Sequence, residues 1–286
     1  MTAAVNNDAA ITEKLGNTLR DIGIPPRPDI LDRIDGEMRK DEPNFKQLEA
    51  IITSDVGLSA GLISLANSPY FGSRGRARSV HDALMLLGLS VASRAIAGLV
   101  IRKQFPSTPS LIRFWDASAA IARISGWIAQ NVDDLKPRSE DAYTFGLFRD
   151  CGIAVLIRRF PAYTDVLRKA NGNCDLSFTA VEEASYPTNH AVVGCLLAQS
   201  WWLPEEICLA IRNHHEYPPT AQLNAATVDM IAVTQFAEYL FQRHTGNSET
   251  CEWKKSKAFC LERLKLEESG IEEILRCVTP LVKAEI

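Results

Sequence analysis

The sequence predicts an all-α protein, a multi-helical bundle, from three observations. Apolar residues recur at helical spacing almost throughout, residues that cap or break helices fall where that spacing starts and stops, and no alternating run exceeds four residues. In 55–66, Leu58, Leu62, Leu65 and Ala66 lie at i, i+4, i+7 and i+8, one face of a helix that Ser54 or Asp55 caps. Ser68-Pro69 turns the chain out of that helix, because the residue before a proline avoids the α region. Ser79 and Asp82 read as a capping box ahead of Val80, Ala83, Leu84 and Leu87, and Gly88 is the stop. Val91, Ala95, Gly98 and Leu99 open the next face. Two prolines between Phe105 and Ser110 break any helix and mark the main internal boundary.

Beyond it the pattern predicts a helix over about 111–130, a polar connection at 131–140 and a helical run through 141–160. Residues 189–201 carry Val193, Leu196, Leu197, Ser200 and Trp201 on one stripe. Pro204 followed by Glu205 and Glu206 is a helix start, with proline in the first turn and acids at the positive end of the dipole. Pro218-Pro219 ends that segment, and 223–241 and 254–280 read as further helices or helix pairs.

Composition narrows the function classes. The 286 residues are 46% hydrophobic and 23% charged with a net charge of −4, which is a folding composition rather than a disordered one. No window approaches 18 consecutive apolar residues, and Met1 to Asp21 lack the apolar segment of a signal peptide. A cytoplasmic protein is expected. The slight acidity argues against general nucleic-acid packaging. The cysteines (151, 174, 195, 208, 251, 260 and 277) are odd in number and contain no C-x-x-C pair. Several, such as Cys195 and Cys208, sit inside apolar runs and read as buried thiols in a reducing compartment, and a zinc ribbon is not expected.

Of the five histidines, His81 and His244 stand in polar surroundings and read as surface residues. His214 follows Ile207 and Ile211 at i+7 and i+3, on the apolar face of its helix, and His215 borders that face. His190 opens the preceding helix behind Thr188 or Asn189. A helix N-terminus disfavours imidazolium, so a neutral, ligating His190 fits that place. Facing helices that turn imidazoles inward are how helical proteins build metal sites. Spacing by itself weighs more toward core-edge histidines satisfied by backbone carbonyls.

A family resemblance emerges from Ile24-Pro25-Pro26-Arg27-Pro28, Ile51-Ile52-Thr53-Ser54-Asp55 and Leu65-Ala66-Asn67-Ser68-Pro69-Tyr70-Phe71-Gly72. Ser79-Val80-His81-Asp82-Ala83 through Leu87-Gly88, Phe114-Trp115 through Ser118, and Phe145-Gly146-Leu147 through Asp150-Cys151-Gly152 extend it. The stretch from His190 through Trp202-Leu203-Pro204 to His214-His215 completes it. In this order the segments resemble an HDOD domain over roughly residues 20 to 240. The resemblance implies a lead at 1–20, a domain at 21–240 and a C-terminal helical extension at 241–286. Within the domain it implies an N-terminal helical subdomain, 26–105, and an HD-like subdomain, 110–240.

The same resemblance implies kinship with the HD phosphohydrolases, all-helical proteins that bind divalent metal through a His, a His-Asp pair and a later Asp, many with extra histidines in two later helices. HDOD domains themselves are bacterial signalling modules without established catalysis. Carried over residue by residue, Ala117 stands at the first histidine, Arg149 replaces the histidine before Asp150, and Thr234, beside Gln235, stands at the late aspartate. Asp150, His190, His214 and His215 persist. Alanine has no lone pair to give and arginine stays protonated. The expectation is therefore a vestigial site with no metal, no cofactor and no catalysis, in which Asp150 accepts hydrogen bonds from Arg149 or His214.

Positive charge gathers at Arg74, Arg76, Arg78 and Arg94, with Arg102-Lys103 beyond. Such a patch suits a phosphate-bearing ligand or an acidic surface, though a solvated loop is the preferred reading. Gly72-Ser73-Arg74-Gly75 is a turn, not a phosphate loop. Trp202, adjacent to Trp201, is expected at a packing seam or interface. The expected function is a stand-alone regulator that acts on a signalling protein in trans by protein–protein contact. The alternatives are a metal-dependent phosphohydrolase or cyclic-dinucleotide phosphodiesterase with a rebuilt site, and nucleotide or nucleic-acid binding through the Arg74–Arg94 region.

Overall fold

In the computed structural model, which describes residues 21–71, 76–132, 135, 137–219, 222–246 and 250–282, every regular element among the described residues is helical. The first half comprises α1 (Asp29–Met38), α2 (Phe45–Thr53), α3 (Val56–Ala66), α4 (Val80–Leu87) and α5 (Leu89–Lys103). Local chemistry sets their ends. Asp55 caps α3 by accepting the Leu58 N–H at 3.0 Å, and Ser79 caps α4 by accepting the Asp82 N–H at 3.0 Å. Gly88 ends α4 and starts α5 at φ +74°, a left-handed conformation that glycine adopts without steric cost. Asn67 pairs twice with the Ala77 backbone at 2.9 Å, pinning the chain where it returns toward α4.

The proline-marked boundary is real as a linker, since α5 stops at Lys103 and α6 (Pro109–Asn131) starts behind the Thr108 cap. Then come α7 (Ser139–Phe148), α8 (Cys151–Arg159), α9 (Tyr163–Asn171), α10 (Phe178–Glu183), α11 (His190–Ser200), α12 (Glu205–Asn213) and α13 (Ala225–His244). The chain closes with α14 (Cys251–Leu264), a 3₁₀ turn (Glu268–Gly270) and α15 (Ile271–Val282). The helical run expected through 141–160 is in fact two helices, broken at Arg149–Asp150. Apolar spacing continues on both sides of that break, so periodicity does not register it.

One hydrophobic core runs from Ile24 to Leu281 and does not divide at the linker. On α13, Ile231 to Val233, Phe236 and Ala237 are wholly buried. The end of the chain belongs to this core: Val278 and Leu281 of α15 are buried, and Arg123 on α6 donates to the Leu281 carbonyl at 2.8 Å. Trp201 is buried and donates from Nε1 to the Pro25 carbonyl at 3.2 Å, while Trp202 is 58% exposed. The guanidinium groups of Arg27 and Arg39 lie over the Trp202 ring at 4.3 and 5.2 Å.

No single helix among the described residues is long and apolar enough to cross a membrane. Cys195 and Cys208 are buried thiols, as expected. Cys174 and Cys251 form a disulfide, which the expectation of a reducing compartment did not anticipate, across a sequence separation of 77 that gave no local sign of it.

Candidate functional site

The break between α7 and α8 turns Arg149 and Asp150 toward the start of α11 and the end of α12. Asn189 caps α11 by accepting the Val192 N–H at 2.8 Å, which fixes His190 as its first residue. His214 and His215 follow directly on α12. One ligand atom from each of Asp150, His190, His214 and His215 lies within 4.8 Å of the others. His190 Nε2 is 3.2 Å from His214 Nε2 and 3.0 Å from His215 Nε2. Asp150 Oδ1 is 3.3 Å from His214 Nε2 and 3.6 Å from His190 Nε2. The sequence thus singled out a set that the fold does bring together.

The outer nitrogens fix how these rings behave. His190 Nδ1 donates to Glu182 Oε2, His214 Nδ1 to the Ile211 carbonyl and His215 Nδ1 to Glu252 Oε1, each at 2.7 Å. Carbonyls and ionised carboxylates only accept, so the protons sit on Nδ1 and each neutral ring turns its Nε2 lone pair inward. Lone pairs at these separations repel unless a cation lies among them. A proton or a metal ion meets that need. Around zinc, with Zn–N near ~2.05 Å, neighbouring ligand atoms in a tetrahedron stand ~3.3 Å apart, close to the four separations above, within a set that spans up to 4.8 Å.

Charge makes the same demand. Asp150, Glu182, Glu238 and Glu252 face Arg149 and Lys255, so four carboxylates meet two fixed cations. Burial works against the Glu182 and Glu252 charges, but the imidazoles and hydrogen bonds hold both below the ordinary carboxylate range. Glu182 also accepts from Tyr163 Oη, and Glu252 from Tyr217 Oη at 2.9 Å. Burial likewise opposes the Asp150 charge, and Arg149 with the histidines outweighs it. His215 is pushed down to about 3 by burial and by neighbouring His214. His190 departs from expectation. Burial disfavours its charged form, but the Glu182 carboxylate overcomes both burial and the helix end and raises its pKa.

Arg149 is 4% exposed and bridges Asp150 Oδ2 at 2.9 Å to Glu238 Oε2 at 2.8 Å. Asp150 accordingly accepts from Arg149, with His214 close by, as the sequence suggested. Thr234 is buried on α13, and its neighbour Gln235 donates to the His214 carbonyl at 2.9 Å. Ala117 lies one turn after Phe114, which lines the cavity above the cluster. That cavity measures about 320 Å³, with Phe114, Ile153, Leu167 and Phe178 as walls and Asp150 and His215 at its floor. Phe178 stacks on His215 with centroids 4.8 Å apart.

The arginines of the basic run can be followed only in part. Arg74 lies outside the described residues, Arg76 and Arg78 are exposed, and Arg94 pairs with Asp141 on α7. Arg102 pairs with Asp116 at 2.9 Å and Lys103 with Asp55 at 2.7 Å. Sequence reasoning missed Glu182, Glu238, Glu252 and Lys255. Of these only Glu238 carried a signal, one helical turn after the ligand position at Thr234.

Comparison with known proteins gives the family and the fold. The HDOD domain model matches residues 24–217. A phosphohydrolase-like protein from Shewanella amazonensis SB2B superposes with a TM-score of 0.68 at 19% identity, over 92% of this chain and 94% of its own. An HDOD domain protein of unknown function from Geobacter sulfurreducens gives 0.59 at 25% identity, over 90% and 93%. An uncharacterized protein of Treponema pallidum is 25% identical over 210 residues, 72% of this chain. The chain spans only 41% of that curated relative.

Proposed function

This chain belongs to the HDOD family, and we propose that within it the chain is a non-hydrolytic regulatory module whose histidine cluster holds one divalent transition-metal ion. The observation that carries this reading is the division of labour at Asp150. Oδ2 is committed to the buried Arg149 guanidinium, while Oδ1 faces the three inward Nε2 atoms. A second ion beside the first would meet a fixed cation at Arg149, and the family's other two ligand positions, Ala117 and Thr234, offer only a methyl group and a neutral hydroxyl. Hydrolysis by paired metals needs both positions filled and a ligand place left to water. Three imidazoles and a carboxylate make up four donors, the number typical of a structural site. Bound there, an ion supplies the positive charge that the cluster lacks and ties the α7–α8 break to α11 and α12. The expectation of no metal is revised on this ground; that of no catalysis is kept. The output of such a frame is contact with a signalling partner in trans.

The test is metal analysis of protein purified without chelator, zinc titration, and assays on a cyclic dinucleotide and a simple phosphodiester with added manganese. One ion per chain, lost in His190→Ala and His214→Ala, with no turnover, is the expected result. No binding in the unmodified chain overturns the ion. Turnover that disappears in Asp150→Asn overturns the non-hydrolytic reading.

A further inference from the structure

Two segments from opposite ends of the second half meet at one side of the histidine cluster, and a cysteine from each joins them. Cys174 precedes α10 and Cys251 begins α14; they form a disulfide with Cα atoms 4.7 Å apart. Next to Cys251 is Glu252, the carboxylate that accepts from His215 Nδ1. Lys255, one turn on, pairs with Glu252 at 2.8 Å and donates to the carbonyls of Asn173 at 3.4 Å and Leu176 at 3.0 Å. From the other segment comes Phe178, stacked on His215 and edge-on to His190 with centroids 5.2 Å apart. The disulfide therefore ties the segment whose ring covers two histidines to the segment whose carboxylate orients one of them.

The remaining thiols are differently placed. Of the five, Cys151, Cys195, Cys208 and Cys260 are buried, and burial pushes their pKa values up, Cys208 to about 12, which suppresses the reactive thiolate, while Cys277 is exposed on α15, away from both segments in the chain. Cys174 is exposed to solvent. Cys174–Cys251 is thus the disulfide a reductant can reach among the described residues, and it is the bond that joins the two covering segments.

We propose that Cys174–Cys251 is a thiol–disulfide exchange site that latches the cover of the histidine cluster, with a dithiol reductant as its reaction partner. A thiolate of the reductant attacks the exposed Cys174 sulfur, forms a mixed disulfide and releases Cys251, which takes a proton. The reductant's second thiol then attacks the mixed disulfide and frees Cys174 as a thiol. Two electrons and two protons pass to the cysteines, and the dithiol leaves as a disulfide. In the reduced chain the two segments stay joined through the Lys255 hydrogen bonds, and Phe178 stays on His215 by its stack, contacts able to open locally. What the latch controls, entry and exit of an ion, rests on the cation-site reading above; the latch itself is read independently of it.

The experiment compares the full chain equilibrated with oxidised and with reduced dithiothreitol. Thiol titration in denaturant is expected to find five thiols in the first and seven in the second. Hydrogen exchange of peptides covering 172–182 and 250–256 is expected to rise at least tenfold on reduction, with peptides from α6 unchanged. The Cys174→Ser, Cys251→Ser double variant in oxidising buffer should match the reduced protein. Zinc, loaded first and challenged with a chelator, should leave the reduced protein at least tenfold faster. Seven thiols after oxidation, or equal exchange in both states, overturns the latch. Faster exchange without any zinc binding upholds the latch and removes the ion.

Discussion

Replacing Arg149 with methionine removes a guanidinium that is 4% exposed and holds two carboxylates, Asp150 at 2.9 Å and Glu238 at 2.8 Å. Burial disfavours the arginine charge, and these two partners more than restore it. Methionine keeps most of the volume, so the change isolates charge from packing. Breaking a buried ion pair by deleting one partner costs about 3–5 kcal/mol, because the other is left uncompensated. With a urea m-value of about 3 kcal/mol/M, about 4 kcal/mol lowers the unfolding midpoint by about 1.3 M. Adding Glu238→Gln removes one stranded carboxylate and should restore at least about 1 kcal/mol, seen as non-additivity in the double-mutant cycle. Zinc should bind Arg149→Met at least about tenfold more tightly, since one repulsive charge beside Asp150 is gone; tenfold is about 1.4 kcal/mol. A loss below about 1 kcal/mol, or weaker zinc binding, would refute the assignment of Arg149 as the fixed cation of the site.

Four further outcomes are expected. A Cβ on Gly152 would overlap the His190 carbonyl oxygen and lie 2.7 Å from the Gly194 nitrogen, both backbone atoms of α11. Gly152→Ala should therefore cost about 3 kcal/mol in urea unfolding, and a neutral result would mean that α8 and α11 are not in contact. Reducing Cys174–Cys251 reopens a 77-residue loop in the unfolded chain, worth up to about 4.5 kcal/mol in the chain-entropy account, and should lower the Tm. No shift in a scan with reductant would contradict the pairing. Leu65, 5% exposed on α3, should cost about 2–5 kcal/mol as Leu65→Ala, and a loss under about 0.5 kcal/mol would mean a misassigned face. Ion-free protein should lose stability as pH falls from about 6.5 to 4: His215, held near about 3, stays neutral while its unfolded counterpart takes a proton. Glu182 and Glu252, below the ordinary carboxylate range beside Lys255 and Tyr163, add to that loss. His190 acts the other way, its contribution present below about 6.5 and lost as pH rises through its raised pKa, so a urea midpoint flat across this window would refute the balance.

The helices were legible because their signals are local. Asp55, Ser79 and Asn189 cap where a polar residue precedes an apolar stripe, and Gly88 breaks where its φ requires glycine. The α7–α8 break was not legible, because Phe148 and Cys151 continue the apolar pattern across Arg149 and Asp150, and only the tertiary partners of those two reveal the turn. The four inward groups could be named from a family pattern. Their orientation could not, because it is set by Glu182 on the short α10 and by Glu252 on α14, 37 residues beyond His215. For the same reason the sequence could not show what opposes the helix end at His190: that end is visible in the chain order, and the Glu182 carboxylate is not.

Counting lost ligands treated the site as one unit, and Asp150 shows why that count misleads. A carboxylate has two oxygens and can serve two cations at once. Here one is permanent: Arg149 cannot be deprotonated, and it also holds Glu238 on α13, so the side of Asp150 bearing Oδ2 is fixed in charge and position. The Oδ1 side faces rings whose protons are held outward, where either a proton on His190 or a metal ion relieves the inward lone pairs. Loss of the histidine at 149 therefore does not simply subtract a ligand. On the reading proposed above, it exchanges a removable cation for a built-in one and leaves a single place in the cluster for a proton or a metal ion. Because that place joins the α7–α8 break, α11 and α12, and is covered by segments from α10 and α14, a change of occupant there would alter the restraint on six helices together.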